Sequence, residues 1–217
     1  MPELPEVEAY RRLAEGALGR KVIAVDAPDP WYLKGGIDAA TLESALVGRR
    51  FVASRRIGKL LLLDTDGGPT VGLRFGMTGR LVLDGVPAVK TLRYTSNAGH
   101  PEWERWAVTL KSGSRLAVSD PRRLGGVMLD PDEGRLGPDV LAIGPAAVRA
   151  ALAGSAAPLK ARLMDQARIA GVGNLIADEV LWRAGLDPGR PSGSLSEAEV
   201  RRLSRALRAT VDQLIAR

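Results

Sequence analysis

Cysteine is absent from the 217 residues, which excludes disulfide scaffolds, thiol catalysis and any thiolate-ligated zinc. A single histidine, His100, leaves a metal site to be built almost wholly of carboxylates and gives serine–histidine catalysis one possible base. Aromatic residues make up only 4% of the chain. No uncharged apolar run approaches the roughly 18 residues that a membrane span needs, so an integral membrane protein is not expected. The opening residues, Met1 to Glu8, carry three glutamates and no apolar stretch, so no secretory signal is expected either. The expected location is the cytoplasm.

What is present is ordinary globular composition with a basic bias. Hydrophobic residues at 45% and charged residues at 26% argue against wholesale disorder. The length allows one large domain or two small ones. The net charge of +6 and a pI near 10.0 suit a polyanion partner. Residues 1–150 hold 21 Lys and Arg against 18 Asp and Glu, and residues 151–217 hold 10 against 7, so neither half alone carries the excess.

Periodicity divides the chain in two. Pro5 to Leu18 reads as a helix stopped by Gly19. Strand-like runs follow at Lys21–Val25, Phe51–Ile57, Leu60–Asp64, Thr70–Phe75, Arg80–Leu83, Arg105–Leu110, Arg115–Ser119 and Val127–Leu129. Turn signals such as Asp66-Gly67-Gly68, Asp84-Gly85 and Ser112-Gly113-Ser114 separate them, and Asp38–Val47 interrupts as a second helix. Many short, closely spaced strands predict an antiparallel sandwich or barrel. After Gly144 only helices are predicted, at Ala146–Leu152, Leu159–Gln166, Leu175–Ala184 and Ser196–Ala216. The last opens with a capping pattern from Ser196 to Glu199. The expected division is 1–136, rich in strands, and 137–217, all helical.

Several residues can carry chemistry. Removal of Met1 would leave Pro2 as a secondary amine, and an α-amino group with a pKa of about 7.7–8.0 is partly unprotonated near neutrality. Such an amine attacking a sugar carbon gives an iminium, the logic of a lysine Schiff base achieved with a terminus. Glu3 and Glu6 lie beside it, where a carboxyl can protonate a departing or ring oxygen. The same residues also fit plainer roles: Pro2 as the start of a loop, and the glutamates as complements to a helix dipole.

Taken together, Met1 to Glu8 (MPELPEVE) resembles the N-terminus of the formamidopyrimidine-DNA glycosylase and endonuclease-VIII-like family, with the wording of the formamidopyrimidine branch. Four further segments agree in order: Arg55 to Leu63, Gly76 to Leu81, Asp120 to Gly125, and Leu159 to Gln166 running into Ala170 to Glu179. The resemblance implies an α+β fold, an N-terminal β-sandwich with flanking helices followed by an all-α helix–two-turn–helix domain, with a DNA cleft between them. It implies a base-excision glycosylase with abasic-site lyase activity on oxidised purines, acting on damaged double-stranded DNA as a monomer and, in a bacterium, associated with the nucleoid. Pro2 would be the nucleophile and Glu3 the proton donor that opens the sugar ring, with Glu6 nearby. Lys59 would sit at the lesion phosphate and assist β-elimination. Met77 would fill the gap left by an everted base. Arg122 and Arg123 would contact phosphate or the widowed base. Lys160, the amides of Gly171 to Asn174 and the Asn174 side chain would contact phosphate. On residue type alone, Lys59 reads as a snorkelling surface lysine, Met77 as core filler and the arginines as a solvated pair.

The sequence departs from the family pattern in places. No cysteine supplies the family's four-cysteine zinc ribbon, so no cofactor is expected, and truncation and a natural short form both remain open. Arg74 replaces the usual histidine, Leu124 the usual phenylalanine, Trp103-Glu104-Arg105-Trp106 the family's His-Asp-His, and Ile176 a tyrosine. His100 is expected in a loop over Asn97–Glu102 with no functional role. The competing reading is a binding module for kinked or abasic DNA that turns over poorly.

Overall fold

The computed structural model describes residues 2–89 and 100–216, which form two compact units. Residues 6–131 make the first together with Pro2, and residues 132–216 make the second together with Glu3, Leu4 and Pro5.

In the first unit nine strands form two antiparallel sheets. They are β1 (Val22–Asp26), β2 (Phe51–Ile57), β3 (Leu60–Thr65), β4 (Val71–Arg74), β5 (Arg80–Leu83), β6 (Val86–Pro87), β7 (Glu104–Leu110), β8 (Arg115–Ser119) and β9 (Gly126–Leu129). One sheet has the order β1-β7-β8-β5-β6 and the other β2-β3-β4-β9. A single buried cluster takes Val22, Leu81, Trp106, Val108, Leu116 and Val118 from the first sheet and Phe51, Leu61, Leu63 and Leu73 from the second. This shared core makes the pair a sandwich. The helices α1 (Leu4–Ala14) and α2 (Ala39–Leu46) add Val7, Tyr10, Leu42 and Leu46 to it. Asp38 starts α2 by accepting from the Thr41 amide at 2.7 Å.

The strand predictions hold to within a residue or so, with two differences. The first helix ends at Ala14, and its expected last turn tightens to a 3₁₀ turn over Glu15–Ala17. The two-residue strand β6 was not expected. Asp84 and Gly85, both at positive φ, turn the chain back so that Val86 and Pro87 pair with β5.

The second unit comprises α3 (Pro145–Leu152), α4 (Leu159–Met164), α5 (Asn174–Ala184) and α6 (Glu197–Ile215). Buried Val200, Leu203, Leu207 and Val211 recur at helical spacing along α6. Ser196 and Glu199 close a reciprocal capping box, as predicted. Helix α4 stops at Met164, two residues short of Gln166, because Asp165 turns extended and accepts from the Ala167 amide at 3.0 Å. The unit begins at Asp132, five residues before the expected boundary. Asp132 caps a 3₁₀ turn over Glu133–Arg135, and the Gly137 amide then bonds Gln166 at 2.9 Å. The presence of Leu4 in the helical core was not foreseen.

Candidate functional site

In the helical unit the site is the start of α5. Gly173 is its N-cap and offers no side chain to the exposed amides. The carboxylate of Glu3 takes that place. Its Oε1 accepts from the Leu175 amide at 2.9 Å and its Oε2 from the Ile176 amide at 3.4 Å. Glu3 is 5% exposed, and a negative group there also complements the helix dipole. A Cβ on Gly173 would lie 2.4 Å from Glu3 Cδ, so the carboxylate requires glycine at this position. The amides of Leu175 and Ile176 are thus taken by a carboxylate of the same chain, one and two residues beyond the Gly171–Asn174 amides expected to meet phosphate.

Lys160 and Asn174 are brought together through Asp178. Lys160 Nζ lies 2.6 Å from Asp178 Oδ1, and Asn174 Nδ2 donates to Oδ2 at 3.2 Å. The pair lies at the surface, where opening such a bridge costs only about 0–1 kcal/mol, so both side chains remain accessible to an incoming phosphate. Gln166 shapes the preceding turn. Its amide nitrogen donates to the Met164 and Val172 carbonyls, each at 2.8 Å, and its oxygen accepts from the Gly171 amide at 2.9 Å.

In the sandwich unit one buried carboxylate joins two turns. Asp120 is fully buried and accepts from the Thr78 hydroxyl, from the Gly125 amide at 2.9 Å and from the Arg122 amide at 3.2 Å. The turn bearing Met77 is thereby fastened to the turn bearing Arg122, Arg123 and Leu124. The backbones touch as well, since a Cβ on Gly76 would lie 2.4 Å from the Leu124 carbonyl carbon. Met77 is half-buried and lies outside the buried core cluster. Arg122 is exposed, and its side chain has no partner among the described residues. Leu124 is 52% exposed.

Arg123 differs from its neighbour. At φ 57° its guanidinium turns back to grip Asp29 with two 2.6 Å hydrogen bonds. The Arg123 contact, aided by Arg105, holds the Asp29 carboxyl below its ordinary value against the opposing effect of burial. The sequence treated the two arginines as equivalent, but in the structure Arg123 ties two loops together.

Lys59 sits at the tip of the β2–β3 hairpin, half-buried, after Gly58 at φ 57°. Arg56 fixes this tip. Its side chain is 4% exposed, pairs with Glu8 at 3.2 Å and donates to the Gly58 carbonyl at 2.7 Å. Burial raises the Glu8 pKa, but Arg11 and Arg56 outweigh it and the carboxyl titrates below its ordinary value. Glu6 lies in the first turn of α1. One turn on, the Tyr10 hydroxyl, its pKa pushed up by burial and by Glu6, donates to the Gly79 carbonyl at 3.1 Å. Pro2 is buried and precedes α1, and Met1 lies outside the described residues.

Glu8, Arg56, Thr78, Asp120 and Gln166 escaped the sequence reading although all five stand inside the segments that carried the resemblance. Among the departures, Trp106 and Ile176 are fully buried core residues. His100 precedes a 3₁₀ turn over Pro101–Trp103 and lies 4.9 Å from the Trp103 ring; residues 97–99 of the expected loop lie outside the described residues. The donor set of a cysteine zinc ribbon does not exist in this sequence. Among the described residues no group of three or more His, Asp or Glu is placed to hold a metal ion.

Comparison with known proteins shows which family the chain resembles. Models of the formamidopyrimidine-DNA glycosylase N-terminal domain and of its H2TH domain match residues 1–127 and 136–217. A formamidopyrimidine-DNA glycosylase of Cereibacter sphaeroides is 36% identical over 228 residues, covering 99% of this chain and 78% of that protein. The Arabidopsis thaliana protein of that name is 33% identical over 228 residues, and the match covers 99% of this chain but 58% of the plant protein. The crystal structure of wild-type Lactococcus lactis Fpg with DNA containing N7-benzyl-Fapy-dG superposes with a TM-score of 0.84 at 25% identity, covering 99% of this chain and 79% of that one. Two family models that between them span both structural units, and relatives aligned over almost every residue, place the chain in the formamidopyrimidine-DNA glycosylase family.

Proposed function

We propose that this chain is a base-excision DNA glycosylase with abasic-site lyase activity, acting on oxidised purines in double-stranded DNA. The observation that carries the reading is the seating of Glu3, directly after Pro2, on the amides of Leu175 and Ile176. A carboxyl fixed in place beside a potential amine nucleophile is what opening a sugar ring requires.

In this reading Met1 is removed and the Pro2 nitrogen becomes the nucleophile. Its lone pair forms a bond to C1′ of the damaged nucleotide, and the base leaves with the glycosidic electron pair and takes up the proton released from the Pro2 nitrogen. Glu3 delivers a proton to the ring oxygen, the C1′–O bond breaks and an iminium remains on Pro2. The iminium acidifies the 2′ C–H. Loss of that proton expels the 3′ phosphate, with Lys59 offsetting the charge of the departing group. Met77 fills the space of the everted nucleotide and Arg122 meets the widowed base. Lys160 and Asn174 hold backbone phosphate once they leave Asp178. No step draws on a cofactor.

The protein acts as a monomer, in the cytoplasm. No helix among the described residues is long and apolar enough to cross a membrane. Borohydride reduction in the presence of an abasic duplex tests the proposal. A covalent protein–DNA adduct supports it. Tight binding without an adduct would instead make the chain a damage-recognition module.

A further inference from the structure

Trp31 is 66% exposed on a short 3₁₀ turn, Pro30–Tyr32. Leaving most of an indole in water forfeits apolar burial, yet nothing about its surroundings is loose. Tyr32 and Leu33, the next residues, are buried in the sandwich core. Asp29 caps the turn by accepting from the Trp31 amide at 3.1 Å. The Lys34 ammonium lies 4.9 Å from the indole centroid and donates to the Trp31 carbonyl at 2.6 Å. The ring is thus held out rigidly with a cation beside it.

The segment is also laced to the turn that carries Arg122 and Leu124. Asp29 is gripped by both arms of Arg123. The Lys34 amide bonds the Val127 carbonyl at 2.8 Å. A Cβ at Gly125 would come within 2.3 Å of the Tyr32 hydroxyl, and one at Gly126 within 2.6 Å of Lys34 Cγ. Glycines in both places let the two segments pack backbone to side chain.

We propose that Trp31 is a DNA-contacting residue, stacking on a nucleotide of the strand opposite the lesion, and that Arg123 is the positioning residue that sets it beside Arg122. The inference rests on the function proposed above. An aromatic face with an adjacent cation matches a nucleotide, whose base or sugar offers a face and whose phosphate offers the charge. Lys34 and the exposed Arg122 supply the complementary charge on the two laced segments. A protein partner would be met by an apolar patch, whereas the group that stands over this indole is the Lys34 ammonium.

The test uses the mature protein and a duplex holding a stable abasic analogue, with 2-aminopurine in the undamaged strand next to the orphan base. Trp31→Ala is expected to weaken binding about 10-fold or more, in line with loss of one base–aromatic stack, and to abolish the protein-induced change in 2-aminopurine fluorescence. Trp31→Phe should restore most of both. Trp182→Ala, which removes a still more exposed indole on α5, should change neither. Arg123→Gln should weaken binding in the parent and add nothing in the Trp31→Ala background, a coupling that a purely structural arginine would not show. Parent-like affinity and fluorescence for Trp31→Ala, with the parent trapped by borohydride, would overturn the proposal alone. A parent that neither binds nor is trapped would overturn the functional reading and this proposal with it.

Discussion

The Glu3 carboxylate and the Leu175 amide, 172 residues apart in sequence, are joined by a 2.9 Å hydrogen bond that closes the open end of α5. This contact gives Glu3 two duties, as cap of a helix and as proposed proton donor, and the two can be separated by substitution. Glu3→Gln keeps an oxygen for one amide but turns an NH₂ toward the other. We expect a stability loss of about 1–2 kcal/mol from the mismatched donors. Excision of a damaged base should slow sharply because the sugar ring is no longer opened by a proton from Glu3, while cleavage of a pre-formed abasic site is largely spared because that sugar opens to its aldehyde unaided. Equal loss of both activities would contradict the role of Glu3 as proton donor.

Gly173→Ala places a methyl 2.4 Å from the Glu3 carboxyl carbon. The carboxylate must move, and excision should fall at least as far as in Glu3→Gln, with about 1–3 kcal/mol lost in urea unfolding from overpacking. Wild-type excision by this variant would show that the seat of Glu3 is irrelevant to the reaction.

Asp120→Ala would strand the Thr78 hydroxyl and the amides of Gly125 and Arg122. Each buried donor left without a partner costs about 1–3 kcal/mol, so the unfolding free energy should drop by roughly 3 kcal/mol or more. Binding to lesion duplex should suffer too, because Met77 and Arg122 lose their common anchor. A loss under about 0.5 kcal/mol, typical of an inert surface site, would contradict this account.

The Asp29–Arg123 contact makes a pH prediction. The folded-state pKa of Asp29 is lowered, so its contribution to stability is fully present above the unfolded value of about 3.9 and disappears as pH falls through the folded value. Thermal melts of Asp29→Asn and parent should therefore differ by a constant amount above about pH 5 and converge below about pH 4. A difference that grows on acidification would reverse the sign of the coupling.

Asp178 competes with phosphate for Lys160 and Asn174. Asp178→Asn should tighten DNA binding several-fold at low salt. Lys160→Ala should weaken it and reduce the log–log salt slope by about 0.9, the value for one phosphate contact. An Asp178→Asn protein that binds more weakly than the parent would place neither residue on the backbone.

The strands were legible because alternation and Gly- or Asp-bearing turns are local signals; Phe51–Ile57, Arg80–Leu83 and Arg115–Ser119 fall where the pattern put them. The capping box at Ser196 and Glu199 is local too. The wiring of the site was not legible, because its partners are distant in sequence. Nothing near Arg123 announces Asp29, 94 residues away, and nothing near Gly173 announces Glu3. Adjacent arginines therefore looked alike, although both are exposed and only Arg123 is tied to Asp29. The glycines at 76, 125 and 173 were visible as motif letters, but what each accommodates emerged only from the contacts a Cβ would make.

The central claim is that the Pro2 nitrogen is the nucleophile. It is tested most directly by borohydride trapping on an abasic duplex, using one preparation that mass spectrometry shows to begin at Pro2 and another that retains Met1. With Met1 in place the nitrogen is an amide and has no lone pair to offer. The account predicts an adduct only for the protein that begins at Pro2, with the DNA remnant on its N-terminal peptide. Equal trapping of the Met1-bearing protein, or an adduct mapped to Lys59, would contradict it.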